Sequence, residues 1–362
     1  MTYKILAINP GSTSTKIAVY EDEKPLFVES LEHGRESLAP FKEIIDQYEL
    51  RRDMVLATLK EHGLDPRGLA AVVGRGGLLP PVAAGAYEVN AAMIDQLRHR
   101  PVVEHASNLG ALIADEIAKI AGVRAYIYDS VTVDEMIPLV KITGLPSMRR
   151  IGMGHNLNMR ASAIRYAKER NKRYAELTLI VAHLGGGSTL SLHHQGRMID
   201  MISDDEGPFS PERAGGLPCF QLVDLMSEIG GDKKRAMKIL RSQGGLLAHL
   251  GTTDARAVEA MIDGGDERAA LVYEAMALNI AKNAAKLAVV VNGRVDAVVL
   301  TGGLVYSKRL SAWITERISF IAPVVLMPGE NEMDSLAGGV LRVLRGEETA
   351  KTYVGSRSEP AV

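Results

Sequence analysis

The residues Ile5-Leu6-Ala7-Ile8-Asn9-Pro10-Gly11-Ser12-Thr13-Ser14-Thr15-Lys16-Ile17-Ala18-Val19 read as an apolar strand, a turn of small and hydroxyl-bearing residues, and a second strand. The pattern returns near mid-chain in Leu179-Ile180-Val181-Ala182-His183-Leu184-Gly185-Gly186-Gly187-Ser188-Thr189-Leu190-Ser191-Leu192. Strands joined this tightly form a hairpin, and a turn of Gly, Ser and Thr offers backbone N–H groups and hydroxyls that can converge on an anion. Two such hairpins half a chain apart predict a duplicated fold holding one nucleoside triphosphate between its halves. Neither turn ends in Gly-Lys-Ser/Thr, nor does any other segment. Phosphate would therefore be held by hairpin turns and not by the strand–loop–helix cradle of a P-loop.

Strands alternate with helical patterns along most of the chain, which predicts an α/β class with mixed sheets covered by helices. A length of 362 residues suits two domains of about 150 residues each. The expected first domain is 1–147, with a closing amphipathic helix at about 332–346 packed back onto it. The second is 148–331, and 347–362 is expected to be a poorly ordered polar tail. Asn108–Ala121 has helical apolar spacing, and Gly122 follows it as a C′ glycine. Ala269–Val291 reads as a long apolar helix that could serve an interface between copies.

A net charge of −2 argues against a nucleic-acid partner. The single cysteine, Cys219, forms no intramolecular disulfide, fits a reducing compartment and is read as a packing residue. Met1-Thr2-Tyr3-Lys4 runs straight into a strand, and no apolar run nears the ~20 residues that span a bilayer. The expectation is a cytoplasmic chain with no membrane partner.

Phosphoryl transfer needs a phosphate cradle, a divalent metal and positive charge at the transferring group. The two turns could supply the first. Asp129, closing the strand Tyr126-Ile127-Tyr128, and Glu332, opening the last helix, are oxygen donors placed for a metal. Arg75 in Gly74-Arg75-Gly76-Gly77 and Arg213 in Glu212-Arg213-Ala214-Gly215-Gly216 could supply the third. Gly302-Gly303, between a strand and a helix, permits the close approach of a flat ring. Each also has a plainer reading: a loop arginine is usually solvated, Asp129 could cap a helix, and His155 and His183 could be satisfied core histidines. His193 and His194, adjacent in a strand, point to opposite faces and cannot chelate one metal together. Asp204-Asp205-Glu206 reads as a solvated loop.

Taken in order, these segments resemble the acetokinase family of the actin/Hsp70/sugar-kinase superfamily. Asn9-Pro10-Gly11-Ser12-Thr13-Ser14-Thr15-Lys16 is similar to its first phosphate motif. Arg75-Gly76-Gly77-Leu78-Leu79, His105-Ala106-Ser107-Asn108-Leu109-Gly110 and Gly207-Pro208-Phe209-Ser210-Pro211-Glu212-Arg213 resemble the butyrate-kinase branch. The resemblance implies a two-domain duplicated ribonuclease H-like fold with a cleft between domains that binds ATP or ADP, Mg2+ and a short-chain carboxylic acid. It implies reversible γ-phosphoryl transfer to butyrate, giving butanoyl phosphate, and a homodimer or larger homo-oligomer. Acetate, propionate, isobutyrate, a longer acid or phenylacetate are alternative acceptors, and an ATP-binding regulator on the same fold is a non-enzyme alternative.

By that resemblance Asn9 contacts the transferring group and Mg2+, Arg75 and Arg213 hold the carboxylate, and Asp129 and Glu332 organise the metal. His155 sits beside the phosphoryl group. Ser12, Thr13, Lys16, His183, Gly185, Gly186 and Gly187 serve the phosphates, and Gly302 and Gly303 the adenosine. Where sugar kinases carry Asp in the first turn motif, this chain has Asn9. Family members commonly carry Phe just before the position of His155. Here Gly154 stands there, which predicts a roomier acyl pocket.

Overall fold

The structure, a computed structural model, describes residues 2–355. Residues up to Asp134, with those from Asn331 onward, form one compact unit, and Glu135–Glu330 form a second. Among the described residues the strands are β1 (Lys4–Pro10), β2 (Ser14–Glu21), β3 (Lys24–Glu32), β4 (Ala71–Arg75), β5 (Ala86–Glu88), β6 (Arg124–Tyr128), β7 (Thr178–Leu184), β8 (Ser188–His194), β9 (Arg197–Ile202), β10 (Ala297–Gly302), β11 (Val324–Pro328) and β12 (Lys351–Thr352).

The first unit's sheet has the order β12-β5-β6-β4-β1-β2-β3, and the second unit's β11-β10-β7-β8-β9. The runs β3-β2-β1-β4-β6 and β9-β8-β7-β10-β11 follow one plan: two antiparallel pairings, then two parallel ones. The duplication expected from the two hairpins is thus present in the topology. Ile5–Ile8 and all of β7 are buried, as near-continuous apolar strands are when helices cover both faces of a sheet. Leu109–Ala121 packs on β4 and β6 and ends at Gly122, whose φ of +71° is the left-handed cap conformation. Glu332–Leu344 packs on β1.

Two features differ from the sequence reading. Residues 135–150 fold with the second unit, so the chain passes between units earlier than 147. Ile137 N donates to Ile199 O (3.0 Å), and Arg150 reaches Asp200 (2.9 Å) and Glu206 (2.8 Å). The expected disorder does not begin at residue 347. β12 adds to β5, and Glu348 accepts from the Tyr128 hydroxyl (2.7 Å), so polar side chains of this stretch find partners at the sheet edge. The rest of the expected tail, 356–362, lies outside the described residues. The helix Glu267–Ala288 buries Ala269, Tyr273, Met276, Ala277, Ile280 and Ala284 in its own unit's core and leaves Leu271 and Leu278 exposed. Among the described residues no helix is long and apolar enough to cross a membrane.

Candidate functional site

The sequence-expected residues divide between the units. In the first, the register Asn9↔Lys16 and Pro10↔Thr15 leaves Gly11-Ser12-Thr13-Ser14 as the turn and sets Lys16 directly across from Asn9. The parallel registers Ile8↔Gly74 and Arg75↔Tyr128 bring Asn9, Arg75 and Asp129 to the carboxyl ends of β1, β4 and β6. Parallel α/β sheets bind ligands at that edge. Glu332, the first residue of its helix, accepts from Asn9 Nδ2 (2.6 Å) and pairs with the Arg75 guanidinium. Asp129 is buried, adopts φ +40°, and accepts from Gly85 N (2.6 Å). The loop after Arg75 is clasped from two sides. Asn108 Oδ1 accepts from Leu78 N (2.8 Å), and Ser130 Oγ donates to Gly77 O (2.6 Å). The two motifs of the first unit therefore meet, with Asn108 of one fastening the loop of the other.

A residue absent from the sequence reading lies beneath the first turn. Arg51, on the helix Tyr48–Glu61, is fully buried. Its Nη1 donates to Gly11 O (2.8 Å), Ser14 O (3.1 Å) and Thr15 Oγ1 (3.1 Å). Its Nη2 donates to Ser12 O (3.1 Å) and Gln47 Oε1 (2.8 Å). The remaining turn carbonyl, Thr13 O, accepts from His33 N (2.8 Å). Arg51 shares the buried face of its helix with Val55, Thr58 and Leu59. A lone cation at i, with buried positions at i+4, i+7 and i+8, was the available sequence signal.

In the second unit the pairing Leu184↔Ser188 leaves Gly185-Gly186-Gly187 as the turn. His183, at the end of β7, is buried. Asn158 Nδ2 donates to its Nδ1 (2.7 Å), which leaves the ring proton on Nε2, 3.3 Å from Glu330 Oε1. The His155 ring stacks on that of His183, with centroids 3.9 Å apart and an 11° interplanar angle, and lies 2.9 Å from Thr189 Oγ1 through Nδ1. Arg213 passes under the turn: a Cβ on Gly187 would lie 2.6 Å from its Cζ. Its Nη1 donates to Asp204 (2.5 Å), a carboxylate that Arg241 also approaches (3.6 Å). One carboxylate between two guanidinium groups leaves positive charge uncompensated. Arg213 Nε is buried with no hydrogen bond among the described residues.

The run Asp204-Asp205-Glu206 is thus not a solvated loop. Its members bind Arg213, Ser203 and Arg150 in turn. Cys219 is exposed, at the start of a helix, Cys219–Glu228, with no buried residue, so it does not pack in a core. Gly302 ends β10, beside β7 in register Thr301↔His183, and has φ +97°. A Cβ there would lie 2.8 Å from Leu184 N and C, and closer still to its carbonyl oxygen. Its glycine is demanded by that approach, whereas a Cβ on the exposed Gly303 would meet nothing within 4 Å. Gly154 does not open the expected space. A Cβ there would lie 3.1 Å from Met201 Sδ and 3.2 Å from Thr189 Oγ1, so two sheet side chains already fill the direction an aromatic would take.

Residues 145–316 match the acetokinase family. The matched segment lies inside the second unit and takes in His155, His183, the glycine turn and Arg213. Solved structures extend the likeness over both units. The acetate kinase of Porphyromonas gingivalis is 20% identical, with 94% of this chain and 100% of that one covered and a TM-score of 0.79. A propionate kinase from Francisella tularensis subsp. tularensis SCHU S4 is 18% identical, with coverages of 93% and 98% and a TM-score of 0.77. A ROK family transcriptional regulator, described as a homolog of the E. coli MLC protein, is 12% identical, with coverages of 94% and 78% and a TM-score of 0.53. The fold is a mixed α/β fold with two sheets, like that of these structures.

Proposed function

We propose that the protein is a carboxylate kinase that moves the γ-phosphoryl group of ATP to a short-chain carboxylate, reversibly. The observation that carries this reading is Arg213, anchored by a shared carboxylate directly beneath the Gly185–Gly187 turn that follows β7 and its His183. A guanidinium with spare charge at a phosphate turn suits a reaction in which two anions must meet. Arg75 has the corresponding assignment in the first unit. It is held by Glu332, which also accepts from Asn9.

The acceptor needs no general base, because a carboxylic acid with a pKa of roughly 4–5 is already ionised at neutral pH. Asn9, where a sugar kinase carries Asp, is consistent with that. One carboxylate oxygen attacks the γ-phosphorus, the bond to the β,γ-bridging oxygen breaks, and ADP leaves with that electron pair. The products are an acyl phosphate and ADP. His183, its proton on Nε2, acts as a hydrogen-bond donor to phosphate oxygen. Ser12, Thr13 and Lys16 are assigned to phosphate in the first unit, and Gly302 and Gly303 to the nucleoside in the second.

Among the described residues no three His, Cys, Asp or Glu gather as a metal site. Mg2+ does not require one, since it takes one or two carboxylates and completes its shell with phosphate and water oxygens. Asp129 and Glu332 fit that demand and would hold it, with the ion supplying charge neutralisation at the phosphates.

Butyrate is the acceptor favoured by the Arg75–Leu79, His105–Gly110 and Gly207–Arg213 segments. Acetate or propionate is favoured equally by the names of the structural relatives. The filled space beside Gly154 gives no support to a bulkier acid. A cytoplasmic homodimer or larger assembly completes the proposal, and analytical ultracentrifugation tests that part. The test of the activity is hydroxamate formation with MgATP, hydroxylamine and acetate, propionate, butyrate, isobutyrate, valerate or phenylacetate. Product with a short-chain acid is expected. Tight ATP binding with no hydroxamate from any acid would favour the second reading, an ATP-binding regulator on the fold shared with the ROK protein.

A further inference from the structure

We infer that Arg51 is the positioning residue of the first turn: from beneath, it draws the turn's carbonyls inward and leaves the Ser12 and Thr13 amides, above a buried cation, as an oxyanion site for the terminal phosphates of a nucleotide. The inference deepens the kinase reading and rests on it for the identity of the anion. Three observations support it. First, all four carbonyls from Gly11 to Ser14 are taken up from the protein side, three of them by Arg51. Second, Ser12 and Thr13 are exposed, and their N–H groups find no acceptor among the described residues. With the carbonyls bound from within, the dipoles of these peptide units put their positive ends toward solvent.

Third, the guanidinium has no carboxylate partner among the described residues. Every group it meets is a carbonyl, a hydroxyl or the Gln47 amide. A buried charge without a counter-ion is costly, and such charges are normally paired. Here the missing negative charge is supplied by a ligand on the far side of a thin turn, where the low dielectric lets attraction act over a longer distance than in water. Desolvation lowers the Arg51 pKa to about 10, which still leaves it charged near neutral pH. Thr15 and His33 complete the underside: Thr15 Oγ1 lies 2.8 Å from His33 Nε2, and burial keeps that imidazole neutral, so no second cation competes with Arg51.

The experiment compares calorimetric affinities for ATP, tripolyphosphate and adenosine in wild type, Arg51→Met, Arg51→Lys and Gln47→Ala. Arg51→Met is expected to weaken ATP and tripolyphosphate by about tenfold to a hundredfold while adenosine stays within about twofold. Arg51→Lys keeps the charge but lacks the fork that spans five acceptors, so it should recover part of the loss. Gln47→Ala removes the group holding Nε and Nη2 and should show the same selective loss, smaller in size. It stands in if Arg51→Met does not fold. Equal weakening of ATP and adenosine would make Arg51 a purely structural residue and overturn the inference, as would unchanged tripolyphosphate affinity. A wild type that binds tripolyphosphate but forms no hydroxamate would defeat the kinase reading and leave this one standing.

Discussion

Alanine at positions 302 and 303 should separate packing from ligand contact within one dipeptide. At Gly302 the new methyl meets the Leu184 backbone, 2.8 Å from two of its atoms, on a residue with φ +97°. The left-handed conformation costs an L-residue about 1–2 kcal/mol. Forcing β7 and β10 apart to clear the methyl adds about 1–3 kcal/mol. The sum, roughly 2–5 kcal/mol, corresponds to a Tm fall of roughly 5–15 °C for a unit of this size. Gly303→Ala meets nothing within 4 Å and lacks the left-handed φ, so its Tm should stay within about 1 °C of wild type. Its methyl would instead occupy the open space assigned to the nucleoside and should weaken ATP by roughly fivefold or more. Calorimetric melting and ATP titration of both variants provide the readout. A Gly302→Ala protein that melts like wild type would refute the packing reasoning, and a Gly303→Ala protein with unchanged ATP affinity would remove the adenosine from this site.

Gly187→Ala should displace the Arg213 guanidinium, whose Cζ the methyl would approach to 2.6 Å, and lower kcat by at least tenfold with little change in melting; unchanged turnover would show that Arg213 does not act from that place. Gly154→Phe should destabilise the protein by about 1–3 kcal/mol through collision with Met201 and Thr189, and a neutral melt with a shortened acid profile would restore the empty-pocket expectation. Acid should destabilise both units through buried histidines. Desolvation, with Arg51 nearby, lowers His33 from 6.5 to about 4 despite the opposing Glu32, and desolvation, with Arg160 nearby, lowers His193 from 6.5 to about 3. In each case the unfolded chain binds the proton first, so stability is flat above about pH 6.5 and falls as pH drops toward the folded values. His33→Gln and His193→Gln should each flatten part of that slope in urea titrations between pH 7 and 4.

The fold was legible because its signal is local and repeated. β1 with β2 and β7 with β8 announce themselves as apolar runs around small-residue turns, and Gly122 marks a helix end in the sequence itself. β3 left no such mark, since it lies at the sheet edge with most side chains exposed, and β12 is too short to carry a pattern. In the candidate site, loop arginines beside glycines were readable as types, but their partners were not. Asp204 looked solvated because one of its arginines follows nine residues later in a loop and the other lies on the helix Lys233–Ser242, beyond an intervening helix. Arg51 was missed because a cation on an apolar helix face has meaning only once the turn it supports is folded over it. Gly154 was misread for the same reason: an absent ring implies empty space only where no neighbour from the sheet, here Met201 and Thr189, moves into the gap.

The first unit is discontinuous in the chain, and that sets an order on biosynthesis. The hydrogen bond from Asn9 to Glu332 joins residues 323 positions apart, and the Arg75 pair closes over 257. Glu135–Glu330, by contrast, is one uninterrupted stretch that can fold as soon as it has left the ribosome. A nascent chain therefore carries β1, β4 and β6 without the helix Glu332–Leu344 that covers them while some two hundred further residues are made. During that interval the strand ends bearing Asn9, Arg75 and Asp129 lack Glu332, and a product terminated before residue 331 would keep the second unit whole while leaving Arg75 without its anchor.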